Sequence, residues 1–421
     1  MEFDKEHFGE VNVDLGVQEI LLAASKHDIA RMRALIRTYE GAENPVNVKD
    51  PETGYSPLHA AIAACEADST LDAEKRQETN GLGNGDAVPQ EELSNMIVSG
   101  SEMIKFLLQE GGIWNDLDAN NETPGCMARR LRLNDLYQLM VDAGVRAEML
   151  LNRLDQYAPL YDAGEDDEHN PPASSALELA DAQQAAAPAN YVSENNTQSA
   201  ETSNTNSRYL QSNLTFNSDR LLDQDQNGVM MSWESEIMKK SANAVLLEPG
   251  LRVLNIGHGM GIIDEVFQGL RPVAHHIVEA HSAVVEEMKR KGWHKRPGVV
   301  IHQGKWQDIL PELINQGRIF NAIYYDTFAE SYSDFREFFS EQVIGLLDAD
   351  GLWSYFNGMG ADRQISYDVY QKVVEMDLLE AGFDVDWEEI KVPPLDGEWN
   401  GIRRKYWIVD NYRLPVCRYL D

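Results

Sequence analysis

The chain has 421 residues, of which 43% are hydrophobic, and this is enough for two or three folded domains. Its formal net charge of −34 at pH 7 argues against direct binding to nucleic acid or to an anionic membrane, and it favours a basic partner or substrate. Three widely spaced cysteines, a polar N-terminus and the lack of an apolar run of roughly 20 residues exclude a cysteine-based metal site, a secretory signal and a membrane span. We therefore expect a protein of the cytoplasm and nucleus, and we favour a monomer.

Residues 1–155 predict a small helical domain that resembles a degenerate ankyrin array. The segment GYSPLHAAIAA at 54–64 has the pattern of an ankyrin turn and first helix. The segment at 120–144 repeats a threonine-proline pair, a helix, a short turn and a second helix, and Pro124 follows Pro57 at close to two periods of about 33 residues. Such an array would hold a protein substrate, and the alternative is a helical cap with no partner.

Two low-complexity segments are expected to connect these parts of the chain. Residues 77–92 read as a loop inserted into the ankyrin-like domain. Residues 156–206 contain an acidic stretch followed by Ala-rich and Ser/Asn/Thr-rich stretches, and they carry too little apolar surface to form a core. The sequence therefore predicts a flexible linker there, followed by a third region at 207–421.

The third region alternates between predicted strands and predicted helices. The apolar strands are expected at 251–256, 275–279, 298–302, 320–326 and 351–357. This alternation is typical of an α/β protein with a mostly parallel, doubly wound sheet. The segments 385–392 and 405–414 are expected to pair as an antiparallel hairpin at the edge of that sheet.

The segment GVMMSWESEIMKK at 228–240 lies ahead of the sheet and predicts an amphipathic helix. Met230, Trp233 and Met238 are candidates to pack over a ligand, and Glu234 lies on the same stretch. The alternative is that Trp233 belongs to the core and Glu234 is solvated.

The segment VLNIGHGMG at 253–261 predicts a strand that runs into a turn at a ligand. Gly257, Gly259 and Gly261 carry no Cβ, so the backbone can turn sharply and approach a bound molecule. Glu279 ends the next predicted strand about 20 residues further on, where a carboxylate receives the ribose hydroxyls of an adenosine ligand. Because the turn reads G-x-G-x-G rather than G-x-G-x-x-G, the pattern favours S-adenosylmethionine over a dinucleotide.

The remaining strand ends supply further candidates. After the third strand, Trp306 is a candidate to lie against adenine, with Gln307 or Asp308 bonding to the adenine amino group. The fourth strand ends in Asp326, with Thr327 beside the predicted pocket, although Asp326 could instead cap the next helix. The ends of the second and fifth strands add His281, Asn357 and Gly358.

Glu234 and Asp326 together predict a site for a guanidinium group. A guanidinium presents a planar fork of N–H donors, which carboxylates can bind at two points. Because the group stays protonated near neutral pH, its nitrogen lone pairs are unreactive. The carboxylates can orient it, polarise one nitrogen and accept the proton as the nitrogen is methylated. Such a mechanism needs neither a metal nor a covalent intermediate with the protein.

Several motifs in order make residues 207–421 resemble guanidinoacetate methyltransferase. These motifs are VMMSWESEIM, VLNIGHGMGIID, HHIVEAH, GKWQDILPEL, FNAIYYDTF and LLEAGF. Together with the ankyrin-like part, the whole chain resembles the fungal type IV protein arginine methyltransferases, which methylate the internal δ-nitrogen of arginine. The resemblance implies a Rossmann-like class I methyltransferase fold and S-adenosylmethionine as the cofactor.

The resemblance also implies roles for individual residues. It implies that Glu234 and Asp326 hold the guanidino group and that the substrate is a basic protein of the ribosomal class. It implies that the cofactor site is lined by Phe216, Met230, His258, Gly259, Met260, Gly261, Ile262, Ile263, Glu279, Ala280, His281, Trp306, Gln307 and Asp326.

Two departures from related patterns bear on the product. Asn255 stands where many methyltransferases have an acidic residue before the first glycine. The paired glutamates of the ω-nitrogen arginine methyltransferases are not recognisable either, so the resemblance favours a single methyl group on the δ-nitrogen. Two alternatives stay open: an enzyme for a small guanidino compound, and an ankyrin scaffold with an inactive methyltransferase fold.

Overall fold

The structure is a computed structural model, and it describes residues 14–42, 44–66, 90–154 and 206–420. These residues belong to two compact units, Met1–Val192 and Ser193–Asp421, which are considered separately below. The predicted linker at 156–206, apart from its last residue, lies outside the described residues, and so does the predicted loop at 77–92 up to residue 89.

The described part of the first unit is helical. Its helices are α1 (Leu15–Ser25), α2 (Ile29–Thr38), α3 (Pro57–Ala63), α4 (Gln90–Gln109), α5 (Pro124–Arg130) and α6 (Asn134–Leu154). Helices α1 and α2 are separated by a turn at His27, whose φ is +52°. Asp28 then caps α2 by accepting a hydrogen bond from the backbone N–H of Arg31 at 2.9 Å.

The two predicted repeat copies begin their helices in the same way. Helix α3 begins at Pro57 and α5 begins at Pro124, and proline is well tolerated at the first position of a helix. The buried His59 ring contacts the Ser56 hydroxyl at 2.9 Å and the Glu122 carbonyl at 3.1 Å, so it joins the starts of both helices. The structure therefore supports a packed helical unit, while the ankyrin assignment remains a proposal.

The second unit contains two sheets. The smaller one is antiparallel, with strands β1 (Thr215–Phe216), β2 (Arg220–Leu222) and β3 (Gly228–Met231). The larger one has the order β6-β5-β4-β7-β8-β10-β9. Its strands are β4 (Arg252–Ile256), β5 (Ala274–Glu279), β6 (Val299–Gln303), β7 (Phe320–Tyr325), β8 (Leu347–Tyr355), β9 (Phe383–Lys391) and β10 (Asn411–Tyr419).

The large sheet confirms the mostly parallel arrangement. Strands β4 to β8 pair in parallel, and β10 lies antiparallel to both β8 and β9. The predicted hairpin is present at one edge of the sheet, with β9 outermost, but its second strand begins at Asn411 rather than at 405. Trp407 and Val409 alternate as in a strand, yet they are buried in a local core outside the sheet ladder.

Helices cover both faces of this sheet. They are α7 (Ser235–Val245), α8 (Ile262–Gly269), α9 (Ser282–Arg290), α10 (Trp306–Asn315), α11 (Tyr332–Glu337), α12 (Val343–Leu346) and α13 (Gln364–Glu380). Leu254 and Ile256 face the layer that contains α10 and α13, whereas Val253 faces α7, α8 and α9. In the described residues, no helix combines the length and apolar character needed to span a membrane.

The topology predicts where a ligand binds. The chain goes from β4 to β5 on one side and returns to β7 on the other side of β4, so the strand order reverses beside β4. In open α/β sheets, ligands bind in the crevice at the carboxyl ends of the strands at such a point. Those strand ends carry the glycine turn, Glu279 and Asp326.

Candidate active site

The glycine turn after β4 lies directly against the end of β7. Gly257, Gly259 and Gly261 have φ values of +92°, +52° and +82°, all in the left-handed region that favours glycine. A Cβ atom on Gly257 would lie 1.8 Å from the backbone oxygen of Asp326, and one on Gly259 would lie 2.7 Å from Cε of Met230. Only glycine therefore allows the turn to approach its neighbours this closely.

The carboxylate of Glu279 holds this turn together. Its Oε2 accepts hydrogen bonds from the backbone N–H groups of His258 at 2.9 Å and Gly259 at 3.4 Å, and its Oε1 accepts one from His281 at 2.7 Å. Glu279 therefore connects the loop after β4 with the loop after β5. It also lines the cavity that opens above them.

Two adjoining cavities occupy this edge of the sheet. The first, the glycine-turn cavity, is lined by residues that include Tyr209, Met230, Gly259, Glu279, Trp306 and Asp326. The second, the carboxylate cavity, has a volume of about 260 Å³ and is lined by residues that include Glu234, Asp326, Glu330, Phe356, Asn357 and Tyr406. They share Val229, Asp326, Thr327, Phe328 and Glu330. Asp326 therefore stands where the two cavities meet.

Glu234 and Asp326 form an acidic pair, of which Glu234 is buried and Asp326 is half-buried. Glu234 immediately precedes α7 and is only 4% exposed, so it is not the solvated residue of the alternative interpretation. Burial raises the pKa of Glu234 to about 8, and repulsion by Asp326 adds to this shift. Burial also raises the pKa of Asp326 to about 7. Both groups are therefore poised to ionise fully when a cation enters the cavity.

Tyr406 is a neighbour of this pair that was not predicted from the sequence. Its hydroxyl donates a hydrogen bond to Oε1 of Glu234, and it accepts one from Nε1 of Trp233 at 3.2 Å. The Tyr406 bond favours the ionised form of Glu234 and so opposes part of the effect of burial on its pKa. Trp233 therefore contacts a side chain that lines the carboxylate cavity, whereas Met238 is buried in the core.

The structure places six of the predicted cofactor residues on the glycine-turn cavity. They are Met230, Gly259, Glu279, Ala280, Trp306 and Asp326. Asn357 and Gly358, from the end of β8, line the carboxylate cavity instead. These candidate residues therefore lie around two adjoining cavities.

His258 and His281 contribute through their backbones rather than through their rings. Both donate backbone N–H groups to Glu279, as described above. The His258 ring is buried and its Nδ1 contacts Asp264 at 2.6 Å, away from the cavity. The His281 ring contacts the backbone oxygen of Tyr209 at 3.1 Å. The sequence pattern did not indicate which way these rings point.

The other residues of the glycine loop support α8. Met260 donates its backbone N–H to the sulfur of Met230 at 3.2 Å. Gly261 is the N-cap of α8, and Ile262 and Ile263 form the first turn of that helix. Ile263 is only 1% exposed and packs in the core. These residues therefore shape the cavity without lining it.

Phe216 does not lie on either cavity. It pairs with Leu221 in the small sheet, and its side chain is 36% exposed. Tyr209 instead closes the glycine-turn cavity from the N-terminal side, and its ring packs against His281 and Phe328. Pairing of β1 with β2 draws Phe216 away, and no sequence signal distinguished one aromatic residue from the other.

Trp306 and Gln307 begin α10, and of the two Trp306 lines the glycine-turn cavity. The Trp306 side chain is only 2% exposed, and its indole N–H donates to both carboxylate oxygens of Glu330 at 3.0 Å. The amide oxygen of Gln307 is buried and, among the described residues, has no hydrogen-bond partner. Gln307 lines neither cavity, so the structure does not bring this predicted residue to the ligand. Asp308, the other candidate for this contact, is exposed.

Asn255 takes a structural role at the position where related enzymes have an acidic residue. Its amide donates to the backbone oxygen of Gly257 at 2.8 Å and to Asp264 at 2.9 Å. Burial alone would raise the pKa of Asp264, but His258 and His275 hold it at about 2. The substitution therefore ties the glycine turn to α8 through a buried anion.

Comparison with known proteins places the chain in a family. Residues 198–403 match the family model described as guanidinoacetate N-methyltransferase. The chain is 64% identical to protein arginine N-methyltransferase 2 of Aspergillus fumigatus over 97% of this chain and 98% of the relative. It is 62% identical to the protein of the same name from Emericella nidulans over 98% and 99% of the two chains, and 42% identical to that of Neurospora crassa over 96% of each.

Among solved structures, the O-methyltransferase TomG of Streptomyces achromogenes aligns at 16% identity with a TM-score of 0.34, over 46% of this chain and 82% of that chain. The family assignment rests on the sequence relatives, which are matched over nearly their whole length. This chain therefore belongs to the protein arginine N-methyltransferase 2 family of methyltransferase enzymes.

Proposed function

We propose that this protein transfers one methyl group from S-adenosylmethionine to the δ-nitrogen of an arginine in a basic protein. The observation that carries the proposal is the acidic pair Glu234 and Asp326, which together line the carboxylate cavity, while Asp326 also lines the glycine-turn cavity. A guanidinium is the side-chain cation whose planar donors match two carboxylates. The family name of the relatives supports arginine as its source.

The glycine-turn cavity fits S-adenosylmethionine. The glycine turn brings its backbone to the wall of this cavity, and Glu279 would hold the ribose hydroxyls. Met230 adds an apolar wall. When bound, the cofactor supplies an electrophilic methyl carbon on a sulfonium.

Glu234 and Asp326 prepare the arginine for reaction. When a guanidinium enters, its positive charge offsets the repulsion between the two carboxylates and lowers both raised pKa values. The ionised pair then holds the flat group in one orientation and draws charge toward one nitrogen. As that nitrogen is methylated, one carboxylate accepts the proton that the nitrogen loses. The Tyr406 hydroxyl keeps Glu234 oriented throughout.

The charge of the carboxylate cavity favours arginine within a polypeptide over a free guanidino acid. Among the described residues that line this cavity, three are acidic and none is Lys, Arg or His. A small guanidino acid would bring its own carboxylate close to Glu234, Asp326 and Glu330, whereas the peptide groups beside a protein arginine are neutral. This observation supports the proposed substrate class against the small-molecule alternative.

The rest of the proposal concerns the partner and the place of action. A net charge of −34 would attract a basic protein such as a ribosomal protein, and the helical first unit would serve as its ankyrin-like docking domain. Action as a monomer in the cytoplasm and nucleus belongs to the same proposal. An inactive scaffold would not require Glu234, Glu279 and Asp326 together on two adjoining cavities.

Product analysis tests this function directly. The full chain is incubated with methyl-labelled S-adenosylmethionine and, in parallel, with a basic ribosomal protein extract or with guanidinoacetate. We expect label in the extract only, and we expect mass spectrometry of the hydrolysed protein to find δ-monomethylarginine. Methylation of guanidinoacetate alone, an ω-methylated product, or cofactor binding without any product would each contradict the proposal.

A further inference from the structure

Glu330 is a third carboxylate at the meeting point of the two cavities. It lines both of them, and it carries no role in the mechanism derived above. Its oxygens accept hydrogen bonds from the indole N–H of Trp306 at 3.0 Å, from the hydroxyl of Thr327 at 2.7 Å and from the hydroxyl of Tyr325. All of its donors are neutral, so Glu330 is held by three hydrogen-bonding side chains rather than by an ion pair.

Two of these donors are the chain neighbours of Asp326. Tyr325 is the last residue of β7, and Thr327 follows Asp326 directly, so one carboxylate holds the residues on both sides of it. Asp326 itself is held only by its backbone, whose N–H donates to Ile256 at 2.9 Å. Within the described residues, its side chain makes no hydrogen bond. The position of the Asp326 carboxylate therefore depends on how firmly its neighbours are held.

The turn that brings Glu330 back onto Asp326 is itself constrained. Ala329 adopts a φ of +62°, which residues with a Cβ adopt only at an energetic cost. Such a conformation persists when surrounding contacts require it. Glu330 contributes its contacts with Tyr325, Thr327 and Trp306 to this turn, beside the packing of Phe328 against Tyr209. Through Trp306, they also connect the turn to the wall of the glycine-turn cavity.

We propose that Glu330 is a positioning residue that holds Asp326 between the two cavities by binding Tyr325, Thr327 and Trp306. The inference rests on the proposed function, because it concerns the placement of the Asp326 carboxylate against arginine. A carboxylate suits this task since both of its oxygens accept hydrogen bonds. Glutamine has nearly the same size, but it replaces one acceptor with an N–H₂ group that faces donors.

The test compares single and double variants of the full chain. We measure turnover with labelled S-adenosylmethionine and ribosomal protein extract for Glu330→Gln, Tyr325→Phe and the double variant. We expect Glu330→Gln to lower kcat by about 30-fold and Tyr325→Phe by about fivefold, since small displacements of a reacting group cost large factors in rate. The double variant should match Glu330→Gln alone, because both changes disrupt the same contact. Glu337→Gln, an exposed carboxylate on α11, is the matched control and should leave the rate unchanged.

A second measurement keeps the inference independent of activity. Amide hydrogen exchange over residues 325–330 should be about tenfold faster in Glu330→Gln than in Glu337→Gln, while the thermal unfolding midpoints stay similar. Unchanged exchange would overturn the inference, even if the unmodified protein proved inactive and the proposed function failed. Additive effects of the two substitutions, with KM rather than kcat affected, would also overturn it, because Glu330 would then bind the substrate directly.

Discussion

Two strands of the large sheet end in carboxylates that differ in the hydrogen bonds they accept from the protein. Glu279, at the end of β5, accepts three backbone N–H groups, so the protein itself stabilises its charge. Asp326, after β7, accepts no hydrogen bond through its side chain from the described residues, and burial raises its pKa to about 7. Both are acidic residues at the same edge of the sheet. The charge of Glu279 is stabilised by backbone N–H groups of two loops, whereas the Asp326 carboxylate is left to bind a cation.

The comparison shows what separates a structural carboxylate from a reactive one. A strand-end position brings the group to the crevice, but the number of donors that the protein supplies decides whether its charge is already satisfied. Glu234 is intermediate between the two, because it accepts hydrogen bonds from the Tyr406 hydroxyl and, at 3.4 Å, from the backbone N–H of Met231, yet its pKa is still raised. Substitutions at Glu279 should therefore damage the fold as well as ligand binding, whereas those at Asp326 and Glu234 should damage only the chemistry.

The largest effect is expected from removing either member of the acidic pair. Asp326→Asn and Glu234→Gln should each lower kcat by about 10³-fold or more, because the charge and the proton acceptor are lost together. Neither should lower the thermal unfolding midpoint at pH 8, since an amide avoids the cost of a buried, ionised carboxylate. Asp350→Asn, at an exposed position of β8, is the control. Near-normal turnover in either variant would contradict the two-carboxylate mechanism.

Removal of Glu279 should weaken both cofactor binding and the fold. Glu279→Ala leaves backbone N–H groups without acceptors, and we expect the free energy of unfolding to fall by about 1 to 3 kcal/mol. The Kd for S-adenosylmethionine should rise by about 10- to 100-fold. Calorimetry and chemical denaturation measure the two effects, with exposed Glu286→Ala as the control. An unchanged Kd would contradict the assignment of Glu279 to the ribose hydroxyls. Unchanged stability would show that Glu279 does not stabilise the fold, so that it would not differ from Asp326 in this respect.

The pH profile should report the acidic pair. Because arginine binds to the ionised carboxylates and their pKa values are raised to about 8 and about 7, kcat/KM should rise with pH from 6 to 8. Raised carboxyl pKa values also mean that the folded, ligand-free protein binds more protons than the unfolded chain over this range. The contribution of these groups to stability is therefore full below their unfolded pKa values and is lost as pH rises through 7 to 8. A flat rate profile over this interval would contradict this assignment.

The smallest effect is expected at Tyr406. Tyr406→Phe removes the hydroxyl that favours ionised Glu234, so the pKa of Glu234 should rise further. The rising limb of the pH profile should then move to higher pH by about half a unit to one unit, with a rate loss of about three- to tenfold at pH 7. Trp233→Phe leaves this hydroxyl in place and should move the limb less. An unmoved limb in Tyr406→Phe would show that Glu234 does not govern it.

The sheet and the central members of the site could be predicted because their signals are local. Apolar runs followed by glycines or a carboxylate predicted β4, β5 and β7, and the same motifs carried the resemblance that paired Glu234 with Asp326. Tyr209, Glu330 and Tyr406 had no comparable signal. Each acts through a contact with a residue that packing brings near, such as Trp306 with Glu330. That Tyr209 rather than Phe216 lines the cavity depended on the pairing of β1 with β2.

The sequence by itself determined the alternation of strands and helices, the glycine turn and the acidic strand ends, because hydrophobic periodicity and the special freedom of glycine act over a few residues. Only the tertiary structure decided which carboxylate has its charge stabilised by hydrogen-bond donors of the protein and which remains available to a ligand. That outcome depends on donors and burial contributed by distant segments, so Glu279 is held by its own loops while Asp326 and Glu234 keep raised pKa values in a shared cavity.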